Sequence, residues 1–198
     1  LGVLTTDLNI NKDLMQEALS ADVKRSFNMI SVDRDTSTND SLLLLANGLA
    51  GNKEITEKNE DYDTFCKALN TVTTALAKKM AADGEGATKL LEAVVIGAPT
   101  EEAAVLLSKS IITSNLVKSA VFGDDANWGR IMCAMGYAGA DFEPDKVDLY
   151  IESSEGKLKL AENGLSTDYS EELATKILSG KEVTVTADLK SGKASATR

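Results

Sequence analysis

The residues best suited to chemistry lie in three polar stretches. Asp83-Gly84-Glu85-Gly86-Ala87-Thr88 sets a carboxylate between two glycines. Glycine permits backbone conformations that other residues avoid, and it lets a ligand come close. A helix end accounts for Gly84, and a solvated turn accounts for the segment taken alone. Neither requires a charge between glycines. Glu85 is therefore a candidate contact for a cationic group of a small substrate, through a charge-assisted hydrogen bond. The second stretch, Ser31 to Asp40 (SVDRDTSTND), packs three aspartates, one asparagine and four hydroxyls into ten residues. Such side chains bond nearby backbone amides in turns and caps. Capping explains one or two of them, so Asp33, Asp35, Asn39 and Asp40 are candidates for a loop beside a site. As a calcium loop the stretch lacks the distal glutamate. The third stretch is Gly123-Asp124-Asp125-Ala126-Asn127-Trp128-Gly129-Arg130. Asn127 suits a helix cap, Trp128 an anchor, and Arg130 either a salt bridge or a substrate carboxylate.

Composition narrows the chemistry further. The 198 residues carry no histidine, which removes serine–histidine and cysteine–histidine catalysis and the usual zinc sites. Covalent catalysis would then need another base, such as a free amine. Cys66 and Cys133 are too few and too far apart for a disulfide framework or a metal site. A net charge of −10 argues against a nucleic-acid partner. The same acidic balance fits a soluble cytoplasmic protein that handles small molecules, and no apolar run has the length of a membrane span. The opening residue, Leu1, is not methionine, and no signal-peptide pattern precedes Asp7. That start is expected of a cut or a processing site.

Strands and helices alternate around these stretches, which implies a mixed α/β or α+β layered fold. Leu1 to Leu4 reads as a strand and Asn11 to Lys24 as an amphipathic helix. Phe27 to Val32 reads as a weak strand, and Ser41 to Ala46 as a short helix capped by Asn39 or Asp40. The longest helix runs from Asp61 to Ala82, with Phe65, Leu69, Val72 and Leu76 as a core stripe. It stops at Gly84, before an apolar strand from Leu90 to Gly97. Thr100 caps a helix that reaches about Ile112. Leu116 to Phe122 reads as a strand and Ile131 to Tyr137 as a helix. Beyond Pro144 the pattern predicts a hairpin (146–152 and 157–160), a helix (170–178) and a strand (181–189). Sub-lobes of 1–143 and 144–198 follow from this change of pattern.

Taken in order, LGVLTTD, SVDRDTSTND, DGEGATKLLE and FGDDANWGRI resemble the β chain of the ArgJ family. These are ornithine acetyltransferases, also called glutamate N-acetyltransferases. The resemblance covers essentially the whole chain. It implies a layered helix–sheet–sheet–helix fold, akin to that of N-terminal-nucleophile enzymes. It also implies a precursor that cuts itself before a threonine, which then serves as nucleophile. The family pattern Thr-Met-Leu-Gly-x-x-Thr-Thr-Asp aligns with Leu1 from its third residue. The nucleophile is thus expected two residues before Leu1, and Thr5 and Thr6 are not that group. The implied reaction is ping-pong acetyl transfer from N-acetylornithine to glutamate in arginine synthesis, with acetyl-CoA as a second donor in some members. No cofactor or metal is implied. The implied partner is the α chain of the same precursor, with a Thr-Gly pair as oxyanion stabiliser, in an α2β2 or larger assembly. The family's site glutamate falls on Glu85 as a substrate clamp.

Two departures stand out. The family carries glycine where this chain has Arg34, so arginine would be strained if that position needs a positive φ. The family also continues past Arg198 with further substrate contacts, so a C-terminal segment is expected beyond this sequence. Two other readings remain. One is a self-processed amidase or aminopeptidase that sends the acyl group to water. The other is a non-catalytic small-molecule binding module, although Glu85 would repel phosphate and no Walker-type lysine–serine pair follows.

Overall fold

A computed structural model describes all 198 residues. The chain divides into two compact units, residues 1–30 with 34–80, and residues 31–33 with 81–198. The division falls near residue 80, not at the sub-lobe boundary expected at 143. The reason is that a strand from the middle of the chain is built into the same sheet as the C-terminal strands.

In the first unit, β1 (Gly2–Thr6) runs parallel to β2 (Leu42–Ala46), with Gly2 opposite Leu42 and Thr6 opposite Ala46. The segment read as a helix at 41–46 is therefore a strand. Four consecutive leucines suit a parallel strand that is apolar on both faces. Helix α1 (Lys12–Asp22) is capped by Asn11, whose Oδ1 accepts from the Asp13 and Leu14 amides. The expected strand at 27–32 is instead a pair of short 3₁₀ turns. Ser26 drives that outcome. Its hydroxyl donates to the Asp22 carbonyl at 3.0 Å, and the Asp22 carboxylate accepts from Asn70 at 2.8 Å. The chain is thereby folded back on the end of α1. Helix α2 (Glu60–Ala82) buries Tyr62 and Leu69 in a core with Leu4, Ala18 and Ile55. Its buried side is displaced from the expected stripe. Val72 is half exposed, while Thr73 and Ala77 are buried.

The second unit is built on a six-stranded mixed sheet in the order β6-β5-β4-β7-β3-β8. The strands are β3 (Leu90–Ala98), β4 (Asp148–Ser153), β5 (Gly156–Glu162), β6 (Leu165–Ser166), β7 (Glu182–Asp188) and β8 (Ala194–Thr197). β3 is parallel to β7 and antiparallel to β8, and the hairpin β4–β5 joins through β4 antiparallel to β7. Helix α3 (Glu101–Thr113) begins at Thr100, which caps the Ala103 amide, and packs on β3 and β8. Helices α5 (Trp128–Gly136) and α6 (Glu171–Leu178) begin at the caps Asn127 and Ser170. Leu107, Ile111, Met135, Leu149, Ile177 and Val185 fill one core. No single helix is long and apolar enough to cross a membrane.

The segment at 116–122 departs from the expected strand. It is helix α4 (Asn115–Phe122), started by Ser114, whose hydroxyl accepts from the Val117 amide. Val117, Ala120 and Val121 are buried at helical spacing. The Ser114 cap outweighs the β-branched composition that favoured a strand.

Asp148, at the start of β4, is buried and carries the densest polar network of this unit. Lys190 and Lys159 donate to its carboxylate at 2.5 and 3.0 Å, and the Asn163 amide donates at 2.9 Å. Lys159 also pairs with Glu162 and stands over the Tyr150 ring.

Candidate active site

The Asp83–Thr88 stretch forms the connection from α2 to β3. The helix ends at Ala82, and the Ala87 amide donates to the Gly84 carbonyl at 2.9 Å, closing a tight turn with Glu85 and Gly86 at its middle. Gly86 has φ +72, the positive angle needed at the third position of a type II turn. A Cβ at Gly86 would meet nothing within 4 Å, so the backbone angle, not space, favours glycine there. The conformational demand thus falls on Gly86, not on the expected helix stop at Gly84. Glu85 is exposed at the tip of this turn.

Within the second unit the three polar stretches meet around α4. Lys89, the residue after Thr88, donates to the Val121 carbonyl at 2.7 Å and pairs with the Asp124 carboxylate. The Glu85 turn is thereby tied to the Gly123–Asp125 turn at the end of α4. One turn earlier on the same helix, Lys118 donates to the Val32 carbonyl at 2.6 Å and draws in residues 31–33. Arg130 donates to the Leu116 carbonyl at 3.1 Å, so it braces α5 against α4 through the backbone. Asn127 is a helix cap, accepting from the Arg130 amide, and Trp128 packs against the core. Neither Lys89 nor Lys118 stands out in the sequence. Lys89 is a lone lysine at the edge of an apolar strand. The placement of Lys118 depends on a helix that the apolar run concealed.

Residues 34–40 of the second stretch lie in the first unit, and Asp33 in the second. Asp33, Asp35, Asn39 and Asp40 are all exposed. Ser37 Oγ accepts from the Asp40 and Asn39 amides at 3.1 and 3.4 Å, a local turn that leads into β2 and not a helix cap. The Leu1 backbone nitrogen lies 3.4 Å from Asp40 Oδ1, and the Gly2 amide donates to the Ser41 carbonyl. A hydrogen bond with Ser37 holds the Asp40 carboxyl below the usual carboxylate range. Residues 39–41 thus lie beside the start of β1. No three His, Cys, Asp or Glu side chains gather into a group that could hold a metal ion.

Arg34 has φ +79. The conformation for which glycine is suited is present, with arginine occupying it. A side chain in the left-handed region costs roughly 1–2 kcal/mol, and a glycine gives back about half of that through its looser unfolded chain. Arg34→Gly is expected to stabilise the fold by about 0.5–1 kcal/mol, read as a raised denaturant midpoint at constant m. A lowered midpoint would mean that the contacts of the Arg34 side chain outweigh its backbone strain.

Comparisons with known proteins agree with one another. A profile for the ArgJ family matches residues 1–198. Among curated proteins, the arginine biosynthesis bifunctional protein ArgJ 1 of Clostridium acetobutylicum is 52% identical over 197 residues, covering 100% of this chain and 48% of its own length. The arginine biosynthesis bifunctional protein ArgJ of Thermotoga neapolitana is 48% identical over 193 residues, covering 98% of this chain and 49% of its own length. This chain spans about half the length of the curated relatives it matches. A crystal structure of the arginine biosynthesis bifunctional protein argJ of Bacillus halodurans superposes with a TM-score of 0.93 at 41% identity, covering 99% of this chain and 91% of that one.

Proposed function

The chain belongs to the ArgJ family, and from that premise we propose that it is the β chain of a self-processed glutamate N-acetyltransferase. The enzyme moves an acetyl group from N-acetylornithine to glutamate, a step of arginine synthesis in the cytoplasm. The nucleophile is a threonine two residues before Leu1, freed by cleavage of the precursor. Its hydroxyl attacks the acetyl carbonyl of N-acetylornithine, and the terminal amine takes the hydroxyl proton. The C–N bond breaks, the proton passes to the departing amine, and ornithine leaves. The amine of glutamate then attacks the acetyl ester, yielding N-acetylglutamate and restoring the threonine. No cofactor takes part in this cycle. The same ester can be loaded from acetyl-CoA, a second donor that fits the word bifunctional in the relatives' names.

The observation that carries this reading is the family match over all 198 residues. The arrangement of the polar stretches supports it. In β1–β2, Gly2 stands opposite Leu42. The same register carried back would set the threonine beside Asn39, next to Asp40. Glu85 stands on a turn with a positive-φ glycine, anchored through Lys89. Its carboxylate is the proposed clamp for the ammonium or side-chain amine of either amino-acid substrate. Asp33, Asp35, Asn39 and Asp40 shape the loop that leads into β2. The α chain of the same precursor completes the enzyme, with the oxyanion stabilisers, in an α2β2 or larger assembly.

The test uses the full-length precursor, expressed and allowed to process. Incubation with N-acetylornithine carrying a labelled acetyl group, together with glutamate, should give labelled N-acetylglutamate and free ornithine in equal amounts. Acetate in place of N-acetylglutamate would identify a hydrolase and overturn the proposal.

A further inference from the structure

Lys89 carries a charge in a nearly enclosed position. Only 14% of its side chain is exposed, and a lysine so far from water needs partners for its charge and its protons. It has two, both at the end of α4. Its ammonium donates to the Val121 carbonyl at 2.7 Å and pairs with the Asp124 carboxylate. A helix leaves its last carbonyls without partners within the helix, and its dipole favours a cation there. Asp124 has φ +56, a left-handed conformation that a side chain keeps only where its surroundings hold it. The turn that follows is firm. The Asp125 amide donates to the Ala120 carbonyl at 2.9 Å, the Asn127 side chain to the Asp125 carboxylate at 3.1 Å, and the Tyr169 hydroxyl to the Ala126 carbonyl at 3.2 Å.

The Glu85 turn is held far less. Its hydrogen bond joins Ala87 to Gly84 within the turn, Gly86 faces open space, and Glu85 is exposed. The chain is next fixed at Leu90, whose amide donates to the Lys181 carbonyl at 2.8 Å as β3 enters the sheet. Lys89 stands between the two. We propose that the Lys89–Asp124 pair positions the Glu85 clamp. Asp124 holds the Lys89 side chain on the end of α4, and so sets the direction in which the chain runs from β3 back to Glu85. Both are positioning residues that act through Glu85, so this role depends on the proposed one of Glu85 as substrate clamp. A carboxylate meets an ammonium well only within a narrow range of distance and direction, and a displacement of about 1 Å can cost about 100-fold in rate.

The test is a double-mutant cycle in the processed full-length protein, read as kcat/KM for acetyl transfer from N-acetylornithine to glutamate. Lys89→Met keeps most of the apolar stem and removes the charge. It should lower kcat/KM by about 10- to 30-fold while Glu85 is present. In a Glu85→Gln background the same change should cost less than about threefold, because the group that Lys89 positions has lost its charge. Should Lys89→Met fail to fold, Asp124→Gly takes its place in the cycle, since glycine accepts the positive φ and only the carboxylate is lost. It should show the same dependence on Glu85. Equal losses in both backgrounds would mean that the pair supports the fold and not Glu85, which overturns the inference and leaves the clamp standing. Wild-type kinetics for Lys89→Met would overturn it as well. Wild-type kinetics for Glu85→Gln would overturn the clamp and the positioning role together.

Discussion

Replacing Glu85 by glutamine in the processed enzyme is expected to lower kcat/KM for acetyl transfer by roughly 30- to 1000-fold, the equivalent of about 2–4 kcal/mol. The change removes one negative charge and leaves size and shape nearly untouched. Glu85 is exposed on a turn, and substitutions at such positions usually alter stability by less than about 0.5 kcal/mol. The turn itself is held by the Ala87–Gly84 hydrogen bond, by the backbone of Gly86 and by Lys89, none of which uses the Glu85 carboxylate. Thermal midpoint and self-cleavage should therefore stay at wild-type values while both half-reactions slow. One clamp serving two amino acids should affect release of ornithine and capture of glutamate alike. Near wild-type kinetics for Glu85→Gln would remove Glu85 from the site.

The second large effect concerns stability. Burial alone would push the Asp148 carboxyl up. Hydrogen bonds from Lys190, the Asn163 amide and Lys159 outweigh it and bring the value from 3.8 down to about 2. The folded value lies below the unfolded one. The resulting stabilisation is complete above 3.8 and is lost as pH falls through about 2. The shift corresponds to about 2 kcal/mol. Asp148→Asn leaves Lys159 and Lys190 without their shared partner, and at neutral pH it should cost about 2–4 kcal/mol. The gap in unfolding free energy between wild type and variant should narrow by about 2 kcal/mol as pH falls from about 4 to about 2. A gap that stays constant over that range would mean that the carboxylate is not held charged by its lysines.

Much of the architecture is legible in the chain because local signals and tertiary context agree. Asn11, Thr100, Asn127 and Ser170 announce helix starts, and each accepts a backbone hydrogen bond at its helix. The hairpin after Pro144 reads directly from its alternation. Two of the failures share one cause. Leu42 to Ala46 and Leu116 to Phe122 are short apolar runs, for which periodicity cannot separate a buried strand from a helix. The first becomes a strand because β1 is available to pair with it, and the second a helix because Ser114 caps it. Neither partner is visible within the run itself. At 27–32, a side-chain bond from Ser26 back to Asp22 overrode a weak alternation.

The candidate site divides in the same way. Its polar stretches were legible by composition, since carboxylates and glycines crowd where caps and turns require few of them. The lysines that join those stretches were not. Lys89 and Lys118 act through long side chains onto backbone carbonyls far away in sequence, and no spacing rule reports such a contact. The strain at Arg34 was legible only as a condition, because a side chain in place of glycine matters only once the angle is known. The observed φ of +79 supplies it.

The account stands or falls on the covalent acetyl-enzyme. The measurement is the intact mass of the chains of the processed full-length protein, taken before and after N-acetylornithine and again after glutamate. The account predicts a β chain that begins with threonine two residues before Leu1. That chain should gain the mass of one acetyl group with N-acetylornithine and lose it when glutamate is added. A β chain whose mass does not respond to N-acetylornithine, or whose acetyl group is not discharged to glutamate, would contradict it.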